Sequence, residues 1–329
     1  MKPVLPVTQT TQTNRPNQDA PMTRTQRNAR RQAGFTVTEL IVVVSIIALI
    51  IALLVPSIAK VRASTRTLRC LTNQRQITQA AYAYATANAG RWASPRTDYT
   101  GGITYPENTA GNARHCWVKA QGTENVTGAF EKISALENGV LWPYTGTVAI
   151  YVSPDEPTNP YALQNPGANT RIRSYSFNAC LGVTRPDEWP DYDDDFTIPN
   201  VGVTVPLSIY NTTTIATVKQ PSRMLSTLVE DDGQMWNTHG WIISPQPNLR
   251  LWVDLPAPWR PDAVTMTYVD GSTESYEMTN PSILESNYLP FPHWITGPID
   301  ASGTCWDWKY FRDRLNPGVL PPLPNYPPT

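Results

Sequence analysis

The sequence predicts an α+β fold: a long N-terminal helix, transmembrane and then amphipathic, packed on an antiparallel β-sheet head with long irregular insertions. Three observations predict it. Leu40 to Ala59 is a run of twenty residues without a charge. Apolar residues then recur at three- and four-residue steps as far as Tyr84, the period of an amphipathic helix. Beyond Gly90, short β-branched and aromatic runs alternate with Pro, Gly and Asn. The chain has 32 prolines, about twice the usual share, which a helical bundle does not absorb.

The elements follow in chain order. Residues 1–34 carry Lys2, Arg15, Arg24, Arg27, Arg30 and Arg31 against one acid, Asp19. The whole chain has a net charge of −1, so the body is mildly acidic. That balance argues against a nucleic-acid partner, which calls for a basic face. The three histidines (His115, His239, His293) are too few for a His-rich metal site.

As a helix, Leu40–Ala59 is about 30 Å long, the hydrocarbon thickness of a bilayer. The cations before it predict a cytoplasmic N-terminus and an exported body, in the periplasm or at the cell surface, held by one span in the inner membrane. A secretory signal is shorter and ends in a small-residue cleavage site. The flank here, Ser57, Ala59, Lys60 and Arg62, has no A-x-A pattern.

Glu39 stands at the edge of the apolar run. A carboxylate inside hydrocarbon costs about 2.5–3.5 kcal/mol on insertion scales. Two readings fit. Thr36-x-x-Glu39 is a capping box that opens a helix. Alternatively, a cut after Gly34 gives Phe35 a free amine, and Glu39, four residues on, shares its helix face. The amine then comes from the same chain or from a neighbour.

The segment Arg30-Arg31-Gln32-Ala33-Gly34-Phe35-Thr36-Val37-Thr38-Glu39-Leu40 resembles the type III signal of type IV prepilins and type II secretion pseudopilins. The resemblance implies that prepilin peptidase cuts between Gly34 and Phe35 and methylates the Phe35 amine. It implies that Glu39 recruits the subunit to neighbouring pilin-like subunits, with membrane lipid around the helix. Pro56, the twenty-second residue after the cut, is the position of the family's helix kink. Met22 is a second candidate start besides Met1 and keeps four of the arginines.

After Pro56, the residues Leu68, Leu71, Gln74, Ile77, Ala81 and Tyr84 form the stripe expected to face the head, and Asn88-Ala89-Gly90 is the stop. The expected division is a leader at 1–34, the helix at 35–90, a β-rich head at 91–316 and an extended proline-rich tail at 317–329. Candidate strands are 148–152, 171–177, 213–218, 224–230, 263–269 and 272–278. Asp270-Gly271 between the last two signals a hairpin with a type I′ turn.

The segment Cys70-Leu71-Thr72-Asn73-Gln74-Arg75-Gln76 resembles the Cys-x-x-Asn-Leu-Lys-Gln segment of a large-headed prepilin-like family. Tyr151-Val152-Ser153-Pro154-Asp155 is similar to its Phe-x-Cys-Pro-x-Asp element, with Ser153 in place of Cys. Arg173–Asn178, Gln220-Pro221-Ser222 and Asp270-Gly271 match further segments, and Arg260 stands where the family has His. The resemblance implies architecture rather than an activity.

Cys70, Cys116, Cys180 and Cys305 all follow the apolar run. They are candidates for disulfides in an oxidising compartment, or for free buried thiols, and four cysteines allow three pairings. Asp191, Asp193 and Asp195 alternate as calcium ligands do, but equally read as a solvated loop. No other cofactor is expected. Eleven tryptophans fit core packing, or a face that stacks on sugars. No G-x-S-x-G, H-E-x-x-H or phosphate loop occurs, so an enzyme is not expected. The function expected is a prepilin-like structural subunit of a pilus or type II secretion-like pseudopilus. The alternative is a helix-tethered surface module that binds a glycan or protein without polymerising.

Overall fold

The computed structural model describes residues 34–98, 116–119, 133–156, 173–182, 196–198, 203–205, 210–230, 240–246, 252–257, 259, 263–279 and 306–323. The chain divides into two compact units after Pro56. One α-helix, α1 (Val37–Ala87), supplies the described part of the first unit and opens the second.

In the first unit, every described residue up to Pro56 is exposed. Val42, Val43 and Val44 are weak helix formers in water. An apolar medium reverses that, because the backbone must then satisfy its own hydrogen bonds. The hydroxyl of Ser45 does the same: its Oγ donates to the Ile41 carbonyl at 2.7 Å. Pro56 lies inside the helix.

In the second unit, α1 stays largely exposed as far as Arg69 and then buries one face: Cys70, Asn73, Gln74, Ile77, Thr78, Ala80, Ala81, Tyr84 and Ala85. The predicted stripe is corrected at its start. Leu68 is 64% exposed, and the turn that first meets the head is made of polar side chains. The reason lies in the sheet, which presents hydroxyls there.

The helix ends in a Schellman motif. Gly90 N–H donates to the Ala85 carbonyl at 2.8 Å, and Ala89 takes the left-handed conformation at φ +55°. A Cβ in that region costs about 1–2 kcal/mol. Ala89→Gly is therefore expected to stabilise the protein by about 0.5–1 kcal/mol, read as a rise in the thermal midpoint of the detergent-solubilised full chain.

The main sheet has the order β3 (Tyr175–Phe177), β6 (Leu225–Val229), β7 (Ala263–Tyr268), β8 (Thr273–Glu277), all antiparallel. Tyr175 pairs Val229, Leu228 pairs Met266, and Thr265 pairs Ser275. The β7–β8 hairpin forms where Asp270-Gly271 predicted it, but the turn is different. Only Gly271 has positive φ, at 84°. Gly271 N–H donates to the Tyr268 carbonyl, and Tyr268 N–H to that of Ser272. This is a three-residue loop closed by a left-handed glycine. Asp270 Oδ1 accepts from the Ser272 N–H at 2.9 Å, so a side chain supplies what a second positive φ would have.

Two predicted strands are 3-10 turns instead, Val148–Ile150 and Ile215–Thr217. In the second, the side chains of Thr214 and Thr217 each bond the other's end of the turn. Threonine hydroxyls here compete with a strand ladder and win. Unforeseen elements are a parallel pair, β1 (Ser94–Asp98) with β2 (Cys116–Lys119), and a small hairpin, β4 (Phe196–Ile198) with β5 (Val203–Val205). The short helices α2 (Ile133–Glu137) and α3 (Trp142–Thr145) and the last helix, α4 (Trp306–Leu315), complete the described set.

The core of the second unit is aromatic. Trp117, Trp241, Trp252 and Trp308 are fully buried, and Trp92 is nearly so. Trp117 meets Phe177 edge-on at 4.9 Å and donates its indole N–H to the Pro95 carbonyl at 2.8 Å. Trp241 and Trp252 flank Phe311 of α4. Gly182, at φ +69°, lies so close to the Ala93 carbonyl that a Cβ would collide with it.

The tail is corrected in part. Residues 317–320 turn back, with Val319 and Leu320 N–H groups donating to the Asn316 carbonyl. Buried Arg312 donates to the carbonyls of Pro245 and Pro321 at 2.8 and 2.7 Å. Those bonds pin the start of the proline-rich segment to the head.

Candidate functional site

The N-terminal site is built by the first turn of α1. Gly34 has open space around its Cα, and Phe35 is 78% exposed. Thr36 is the N-cap and Glu39 the third helical residue. Glu39 N–H donates to Thr36 Oγ1 at 3.2 Å. In return, the Thr36 N–H and hydroxyl donate to Glu39 Oε2 at 2.9 and 2.8 Å. The capping box is therefore formed in the uncut chain. Both returned bonds fall on Oε2, which leaves Oε1 open among the described residues for a cationic donor. The two readings of Glu39 are compatible: one oxygen caps the helix and the other is available. The carboxylate is also the only acid in the first turn, where the positive end of the helix dipole favours it.

A second constellation lies where α1 meets the sheet. Cys70 Sγ is 2.9 Å from Thr265 Oγ1 and 3.5 Å from Ser153 Oγ, and Tyr175 OH donates to it at 3.4 Å. Asn73 Nδ2 donates to the Ala149 and Val152 carbonyls at 3.3 and 3.2 Å. Gln74 Nε2 donates to Thr265 Oγ1 at 2.8 Å, and Gln74 Oε1 accepts from Thr227 Oγ1 at 3.3 Å. Thr78 Oγ1 donates to Ser226 Oγ at 2.9 Å. Segments far apart in sequence, 70–78, 149–153, 173–178, 226–227 and 265, thus meet around one helix face. Their chemistry is docking. Each polar group is satisfied only in one register, so the network specifies how the helix sits on the sheet. Burial pushes the Tyr175 hydroxyl well above its ordinary range, and it stays a neutral donor.

The described cysteines, Cys70, Cys116 and Cys180, are buried, and Cys70 and Cys180 are free thiols. Cys305 lies outside the described residues. Burial pushes the Cys180 thiol up to about 12, which keeps it unreactive. Position 153 is the informative one, since its hydroxyl already touches Cys70. Ser153→Cys is expected to form a 70–153 disulfide on mild oxidation. Intact mass should fall by about 2 Da, with stabilisation of about 2–4 kcal/mol. Two persisting thiols would contradict this contact.

Arg66 Nε pairs with Asp155 Oδ1 at 3.1 Å, tying the lower part of the second unit's helix to the same 149–155 segment. The calcium candidates Asp191, Asp193 and Asp195, and Arg260, lie outside the described residues. Among the described residues, no three His, Cys, Asp or Glu side chains are grouped to hold a metal. Glu230 is buried beyond the end of β6 and accepts from the Ser176 hydroxyl. The structure also shows what sequence reading missed: the docking role of Asn73 and Thr78, and helix α4. The signal for α4 was Trp308, Phe311 and Leu315 before Asn316-Pro317-Gly318.

Among the described residues, one helix is long and apolar enough to cross a membrane. A family model, the prokaryotic N-terminal methylation motif, matches residues 29–55. It covers Arg30, Arg31, Gly34, Phe35, Glu39 and most of the apolar run. No curated protein and no solved structure matches the chain. The chain carries a type IV prepilin-like signal on a single apolar helix.

Proposed function

We propose that this chain is a prepilin-like structural subunit that prepilin peptidase cuts between Gly34 and Phe35 and methylates on the Phe35 amine. The mature subunit is held in the inner membrane by α1, with its head exported, and assembles through that helix into a pilus or type II secretion-like pseudopilus. It performs no chemistry of its own and carries no cofactor. The observation that carries this reading is the coincidence of the methylation motif with a helical run whose large apolar side chains are exposed. Leu40, Ile47 and Leu53 are 56%, 49% and 68% exposed. Such a surface demands lipid first, and then the helices of other subunits.

Orientation is supported by the leader rather than by charge counting. Arg24, Arg27, Arg30 and Arg31 precede the span closely, but Lys60, Arg62, Arg66, Arg69 and Arg75 follow it as closely, so the positive-inside bias alone is balanced. The test is intact-mass analysis of the membrane form made alongside prepilin peptidase. Loss of residues 1–34 with gain of one methyl group is expected. A chain that keeps its leader contradicts the proposal.

A further inference from the structure

The neck between the apolar run and the head has a chemistry that assembly does not explain. From Leu40 to Thr97 the sequence holds no acid, yet Lys60, Arg62, Arg66, Arg69 and Arg75 all lie on α1. All five are exposed. Arg66 is claimed by Asp155. Lys60, Arg62 and Arg69 have no acidic partner among the described residues.

We infer that Lys60 and Arg62 form a collar for the phosphate groups of anionic phospholipids in the leaflet on the head side of the membrane. The inference rests on the apolar run spanning a bilayer. At 1.5 Å per residue, Lys60 and Arg62 stand about 1.5 and 4.5 Å beyond Ala59. The headgroup zone is about 5–7 Å deep on each side of the hydrocarbon, so both fall inside it. Side chains on a helix lean toward its N-terminus, which here is toward the bilayer, and both stems can lie along the apolar surface below. Arg66, about 10 Å out, is above the zone, and there the head supplies a carboxylate instead. Above the zone the head takes up Arg66 through Asp155, whereas the two cations inside the zone, Lys60 and Arg62, are left for lipid phosphate. The collar sets the depth of the helix and resists its extraction from a membrane rich in anionic lipid.

The experiment uses the full chain in nanodiscs of phosphatidylcholine and phosphatidylglycerol, with bound lipid read by native mass spectrometry after release from the disc. Wild type is expected to retain phosphatidylglycerol over phosphatidylcholine. Lys60→Gln/Arg62→Gln is expected to lower that preference roughly tenfold, on the scale of one to two cations near an anionic surface. The leader arginines are present in both, so the difference reads the neck alone. Arg75→Gln, about 24 Å from the apolar edge, is expected to leave the preference unchanged. An equal preference in wild type and the double variant overturns the collar, as does an equal loss in Arg75→Gln. A salt-sensitive dimer in place of lipid adducts overturns it in favour of the acidic surface of a second copy. Failure of the spanning reading shows separately, as release of the protein from vesicles by alkaline carbonate.

Discussion

Glu39→Ala is expected to leave the subunit in the membrane fraction and to remove it from filaments, a loss of at least about tenfold in the sheared-filament fraction. The argument starts from the two oxygens of one carboxylate. Oε2 is engaged by Thr36, and that contribution is local, about 1 kcal/mol of helix capping. Oε1 is open, and a partly desolvated pair between it and an amine is worth more than the cap because hydrocarbon screens little. Thr36→Val separates the two effects. It removes the hydroxyl from the cap while keeping the charge, so filament incorporation should fall far less than for Glu39→Ala. Glu39→Gln keeps a hydrogen-bonding oxygen without the charge and should behave like Glu39→Ala. If Glu39→Ala subunits enter filaments at the wild-type level, the chain is a tethered module and the surface-binding alternative takes over.

Trp117→Ala is expected to destabilise the second unit by about 3–5 kcal/mol. At about 2–4 °C per kcal/mol for a body of this size, the thermal midpoint should drop by about 10 °C. Trp117 is fully buried and holds three parts together. Its ring packs on Phe177 of β3 and Tyr151, Arg173 lies over its face at 5.3 Å, and its N–H reaches the segment at Pro95. Removing the ring leaves a large cavity, and the Pro95 carbonyl loses its donor. Trp306→Ala is the contrast. That ring is 48% exposed, and the change should move the midpoint by a degree or two. Equal shifts for the two variants would contradict a core role for Trp117.

The burial of five tryptophans also narrows the sugar-stacking reading of the aromatic content. Buried rings present no face to a ligand. Trp189, Trp236 and Trp294 lie outside the described residues, so the alternative function turns on those positions, on exposed Trp306 and on the half-buried Trp142 and Trp259.

What was legible in the sequence was what local chemistry dictates. Twenty uncharged residues make a membrane-length helix whatever follows them. Gly34, Phe35 and Glu39 are read in order along the chain, and the capping box closes over three residues. The β7–β8 hairpin was legible because Asp270-Gly271 and the flanking alternation act between neighbours.

The remainder depended on tertiary structure. Leu68 reads as the start of the buried stripe, yet it is exposed, and burial starts at Cys70 and Asn73 instead. The period places Gln74 on this face, but hydrophobicity gives no reason to bury an amide. The two amides go there because partners distant in sequence match them, the Ala149 and Val152 carbonyls for Asn73 and the Thr227 and Thr265 hydroxyls for Gln74, and a satisfied buried amide is tolerated where an orphaned one costs about 1–3 kcal/mol. Likewise, 148–152 and 213–218 have the composition of strands but form no ladder among the described residues beyond the single bridge of Thr214 with Arg91, and threonine side chains close them into turns. By itself, then, the sequence determined the anchor, its processing signal and the last hairpin, because those rest on contacts within a few residues. Which face of α1 meets the sheet, and which polar groups may be buried there, was decided only in three dimensions, because hydrogen-bond satisfaction is a property of pairs that the chain order does not reveal.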